Sequence, residues 1–280
     1  MNNQTLNEIN KRDLDKCYFS ISFYHSTIYF NDGNDYVYKR KVYTLIGCNI
    51  FGVRKYITSI FEDEYPQASD WYDLFQTLKS RGLETVFFSI IPNDNYLKKA
   101  LKLSFPEVTF FITYLDIIEK LFRFFSQRYS SKLLSIIKSL YVADDINDFE
   151  LKINEFYNDT NIQPFVKEIS KEHLLNIRHT FDYNFILRKN IYSFYFGREF
   201  YKKLSKISHS KPYFFDLNTF LEDLLSTIKS METRMYCSKS EWNQVINSLY
   251  ILYKDLIIRY LWCIICLTKR GFVICIIILI

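Results

Sequence analysis

The chain has 280 residues, enough for one large or two small domains with a sizeable buried core. Its net charge of +5 permits a polyanionic partner without demanding one. Six cysteines without disulfide-framework spacing, behind a polar opening that is no cleavable signal peptide, argue against a secreted disulfide scaffold and point to a reducing, cytoplasmic setting.

Residues 1–16 are polar and read as a loose N-terminal segment. Cys17 to Phe30 has the aromatic and β-branched content of a strand, and Asn31 to Asp35 is a turn cluster of the kind that joins hairpin strands. Tyr36 to Cys48 and Val53 to Phe61 read as the second and third strands of an antiparallel meander. Ser69 to Ser80 then reads as a helix with Ser69 as N-cap.

Arg81 to Pro106 is the segment around which the rest is organised. Val86 to Ile91 is a short apolar run that predicts a strand buried on both faces, at the centre of the sheet. Pro92 to Asn95 ends it, because proline cannot donate to a ladder and Asn and Asp favour turns. Tyr96 to Leu103 follows with helical spacing, closed by Phe105-Pro106. A strand, a loop at its C-terminal edge and a helix form the place where α/β sheets carry ligands. Val108 to Thr113 predicts one more strand, giving the order β-β-β-α-β-α-β.

From Asp116 the pattern becomes helical, over 116–140, 144–158 and 162–178. Phe185 to Lys203 is mixed and basic. Asp216 to Met231 and Ser240 to Arg259 predict two further helices, the second capped by Ser240 and carrying Trp242 near its start. Residues 260–280 are apolar but broken by Thr268-Lys269-Arg270-Gly271. A charged pair at mid-length is expensive in a spanning helix. The tail therefore reads as translation past a disrupted coding end, with a membrane anchor as the lesser alternative. Cys263 and Cys266 form a CxxC without a second pair, and no metal role is assigned to them.

Four stretches taken in order resemble the Mutator-type transposases of bacterial insertion sequences. These are Arg40 to Tyr56, Trp71 to Ile90, Lys98 to Glu107, and Ser240 to Ile257 with its Trp-containing terminal helix. The resemblance implies an RNase H-like α/β core at 17–115, a helical insertion at 116–184, a helical C-terminal part of the core at 185–259, and the 260–280 tail. It also implies a DDE-type enzyme that cuts and joins DNA with two Asp and one Glu holding two Mg²⁺ ions. Carboxylates suit that task because Mg²⁺ prefers hard oxygen ligands.

Carried onto this sequence, the positions of the three acids fall at Tyr24, Pro92 and Arg198, with Asp94 and Glu199 as the nearest carboxylates. The Cys and His that the family places after its second Asp are Thr113 and Asp116 here, and little chain precedes the first strand to hold the family's DNA-binding region. The resemblance thus predicts a degenerate, N-terminally truncated transposase-like protein without cleavage activity and without a bound cofactor. Its partner is DNA at insertion-sequence ends, contacted through Lys39, Arg40, Lys41, Arg188, Lys189, Lys202 and Lys203. The alternative, motivated by the same basic clusters, is a non-catalytic DNA-binding or regulatory remnant that pairs with an intact transposase; a homo-oligomer is the other partner expected.

Overall fold

The computed structural model describes residues 10–31, 36–62, 66–113, 126–162, 164–191, 203, 206–207, 212–214, 217–232 and 237–267. The order read from the sequence is present: β1 (Cys17–Asn31), β2 (Val37–Asn49), β3 (Arg54–Glu62), α1 (Ala68–Ser80), β4 (Thr85–Ile91), α2 (Asn95–Ser104) and β5 (Thr109–Ile112). They form one sheet in the order β3-β2-β1-β4-β5. The first three strands are antiparallel, while β4 runs parallel to β1 and β5 parallel to β4. The middle strand is therefore β1, whereas sequence reasoning gave that position to Val86–Ile91. β4 is interior, seated between β1 and the edge strand β5.

Alternation along β1 explains its three-layer setting. After a bulge between Tyr18 and Ser20, Ile21 and Phe23 face α1 and α2, packing with Trp71, Phe75 and Leu101. Tyr24, Ile28 and Phe30 face the other way. Before the bulge the phase is reversed, and Cys17 and Phe19 join the apolar cluster of the helical region.

That region comprises α3 (Gln127–Tyr141), α4 (Ile146–Asn158), α5 (Pro164–Arg178), a 3-10 turn at His179–Asp182 and α6 (Phe185–Ile191). Two later helices, α7 (Leu217–Met231) and α8 (Lys239–Leu267), complete it. α7 covers the β1–β3 half of the sheet through Phe220, Leu221 and Leu224. α8 is broken by a non-helical backbone at Tyr253. No helix among the described residues is long and apolar enough to cross a membrane, and residues 268–280 of the predicted tail lie outside those described.

Two helix starts differ from the sequence reading. In α1 the cap position is Gln67, whose N–H donates to the Asp70 carboxylate at 2.7 Å, so Ser69 sits inside the first turn. In α8 the hydroxyl of Ser238, not that of Ser240, accepts from the Glu241 N–H at 3.2 Å. Residues 10–16 are also less free than their polarity implies. Leu14 N–H donates to the Arg81 carbonyl at 2.7 Å, and Arg81 donates to the carbonyls of Arg12 at 3.0 Å and Ile57 at 3.1 Å. Arg12 bonds Glu232 and the Tyr56 carbonyl, which covers the outer edge of β3.

Trp242 fastens α8 to the sheet. Its indole N–H donates to the Ile50 carbonyl at 3.0 Å, and its ring meets Phe19 edge-on at 5.2 Å. Gly52 makes room for it. That residue has φ +76, and a Cβ there would stand 2.6 Å from Trp242 Cδ2. Trp242→Ala is expected to lower stability by about 3–5 kcal/mol, measured by urea unfolding. A loss below about 1 kcal/mol would show that α8 is held elsewhere.

Candidate active site

The parallel register of β1 and β4 decides which residues meet at the C-terminal edge of the sheet. The ladder runs from Cys17↔Thr85 to Ser22↔Ile90. Tyr24 and Pro92 each lie two residues beyond the last pair of that ladder. Both positions thus sit past the end of the β1–β4 ladder, Tyr24 within β1 and Pro92 just after β4. Arg198 and Glu199, the third position and its neighbour, lie outside the described residues, as does Asp116.

Neither of the two side chains is a metal ligand of the required kind. Tyr24 is buried in an apolar cluster with Ile28, Val42 and Ile46 beneath α7. Pro92 is buried and carries no polar side-chain atom. These residues do not fit Mg²⁺, which needs hard oxygen donors in near-octahedral array. Asp94, the nearest acid, is the N-cap of α2, and its Oδ1 accepts from Tyr96 N at 2.8 Å and Leu97 N at 3.1 Å. Its backbone N–H closes a tight turn onto the Pro92 carbonyl at 2.8 Å. Thr113, at the position of the family's Cys, is buried, and its N–H donates to the Ile91 carbonyl at 2.7 Å.

Other chemistry is equally sparse among the described residues. No three His, Cys, Asp or Glu side chains there are placed to hold a metal. Burial pushes the Cys17 thiol up to about 12 and the Cys237 thiol up to about 11, and raises Cys48 as well. Thiols so shifted stay protonated at neutral pH and are poor nucleophiles. The side chains of Cys263 and Cys266 lie outside the described set.

The basic residues divide by environment. Lys39 is exposed on β2, while Arg40 projects to the opposite face with its guanidinium 5.8 Å from the Tyr38 ring centre. Lys41 is level with Glu62 of β3. Lys189 pairs with Glu241 at 2.6 Å, and Lys203 lies 3.3 Å from the Ser230 hydroxyl. Lys202 is not described. Arg188 is a correction to the sequence reading, because it is 4% exposed and turned inward. Its guanidinium donates to the carbonyls of Ala143 at 2.7 Å and Asp144 at 2.9 Å and lies 4.0 Å from the Phe181 ring centre. It secures the α3–α4 connection and offers nothing to a phosphate. One candidate passed over in the sequence is Tyr29, exposed directly across from Lys39. Counting cross-strand pairs outward from the Asn31–Asp35 turn would have found it.

The profile described as "Transposase, Mutator family" matches residues 2–218. A Drosophila P element transposase strand transfer complex is similar at 10% identity, over 88% of this chain and 74% of that one, with a TM-score of 0.32. No curated protein matches the sequence.

The role of Asp94 can be tested directly. As an N-cap, Asp94→Ala should cost about 1 kcal/mol in urea unfolding, and Asp94→Asn much less, because Asn caps as well as Asp. Equal losses for both variants would mean that the carboxylate charge, not the cap, is what matters.

Proposed function

The chain belongs to the Mutator family of transposases, and from that premise we propose that it retains an RNase H-like core able to engage DNA but lacks metal-dependent strand cleavage. The strand order supports the first half: a three-stranded antiparallel meander, then two parallel strands added beside β1 through α1 and α2. In this reading residues 17–115 and 185–259 form the core and 116–184 a helical insertion.

What supports the second half is the chemistry of the two aligned side chains: Tyr24 is buried in an apolar cluster, and Pro92 carries no polar side-chain atom. Cleavage by two metals needs carboxylate oxygens that neutralise charge on both the attacking and the leaving oxygen. A phenol buried among aliphatic side chains and a proline ring supply neither. Asp94 is engaged in capping a helix, and the third aligned position carries an arginine, whose charge repels a cation. Phosphate contacts need only cations, and Lys39, exposed on β2, suits that role. A protein that holds DNA without cutting it would occupy element ends, alone or in mixed assemblies with an intact transposase.

The test is incubation of the purified chain with DNA bearing the ends of an intact element of the same type. No nicking or strand transfer is expected in Mg²⁺ or Mn²⁺. Metal-dependent nicking that disappears in Asp94→Ala would overturn the proposal and make Asp94 a relocated ligand.

A further inference from the structure

β1 and β2 continue as an arm beyond the point where β4 leaves the sheet, with β3 still paired to β2 as far as Lys41↔Glu62 and two strands alone from Ile28↔Arg40 outward. The β1–β4 ladder ends at Ser22, whereas β1 and β2 stay paired as far as Asn31↔Val37. One face of the arm is packed, with Ile28 and Phe30 buried against Phe214 and Phe220. A short parallel bridge braces its edge: Asn31 N–H donates to the Phe214 carbonyl at 2.9 Å, and Phe214 N–H to that of Tyr29 at 2.8 Å. The arm is therefore a supported ledge, not a free hairpin.

Among the described residues, the other face is covered at its inner end, where Trp71 of α1 meets Phe23 and Tyr43, while Asn31 at its outer end is also buried. Past that point come the cross-strand pairs Thr27↔Lys41, Tyr29↔Lys39 and Asn31↔Val37. Tyr29 is 48% exposed and Val37 46%, and Thr27 and Lys39 are exposed too. Among the described arm residues, 24–31 and 36–43, there is no carboxylate. Glu62 of β3 stands level with Lys41.

We propose that this open face binds single-stranded polynucleotide, with the Tyr29 ring as a stacking surface for one base and Lys39 as the phosphate contact. It deepens the DNA-binding reading above and rests on it. The preference for a single strand follows from Tyr29, since a ring on an open ledge can stack only on a base already freed from its duplex partner. Lys39 lies directly across from that ring, so the phosphate contact and the stacked base belong to one short stretch of strand.

The test is fluorescence anisotropy with a labelled oligothymidylate and, separately, a duplex of the same length. The wild type should bind the single strand more tightly. Tyr29→Leu, which keeps the bulk but removes the ring, should weaken that binding roughly tenfold, while Tyr29→Phe retains it. Lys39→Ala should lower the slope of log affinity against log salt by about 0.7. Lys171→Ala, which removes an exposed charge on α5, should alter neither quantity. If the wild type binds but Tyr29→Leu, folded by circular dichroism, binds equally well, this face is the wrong one. If the duplex is preferred, the stacking role is wrong. No salt-dependent binding by the wild type to either probe would remove the DNA-binding reading itself.

Discussion

The parallel pairing of β1 with β4 is the constraint on which the remaining architecture depends. It makes β1 the middle strand, with the antiparallel meander on one side and the parallel pair on the other. Both faces of the inner part of β1, Cys17 to Tyr24, are buried. The bulge between Tyr18 and Ser20 shifts the phase of its side chains so that each face meets the layer laid against it. The same pairing fixes the ends of the strands. It ends at Ser22↔Ile90, two residues short of Tyr24 and Pro92, and releases the outer part of β1 to pair with β2 alone.

Packing at that edge is that of a core more than of a cleft. Tyr24 shares an apolar cluster with residues of β2, β3 and α7. A carboxylate placed there would lose its hydration, a cost that only a bound cation or a hydrogen-bonding partner can offset. The neighbouring loop has likewise settled into local structure: Pro92 closes the strand, Asp94 caps α2, and the Thr113 N–H is taken by Ile91. Each of these residues has a structural task that needs no metal.

Much of the fold was legible because turn residues punctuate it. Asn31 to Asp35, Gly52, Gly82 and Pro92 separate apolar runs of strand length, and the β-β-β-α-β-α-β order follows from them. Strand order was not legible, since it rests on pairings between distant segments. Val86 to Ile91 looked central because it is apolar on both faces, yet the longer β1 occupies the middle. The two caps were misplaced by two residues for a local reason, as another polar residue stood just upstream each time. Arg188 was misread because burial of a guanidinium depends on carbonyls more than forty residues away, at Ala143 and Asp144. The anchoring of Arg12 by Glu232 is long-range in the same way. At the candidate site, the two strand positions could be counted from sequence, but their burial depends on tertiary packing that could not.

The claim at the centre of this account is that the edge keeps its geometry while its side chains cannot hold a metal. Calorimetric titration with Mn²⁺ tests it most directly, comparing the wild type with the triple variant Tyr24→Asp, Pro92→Asp, Arg198→Glu. The account predicts no saturable binding by the wild type and measurable binding by the folded variant. Saturable, stoichiometric Mn²⁺ binding by the wild type would contradict it.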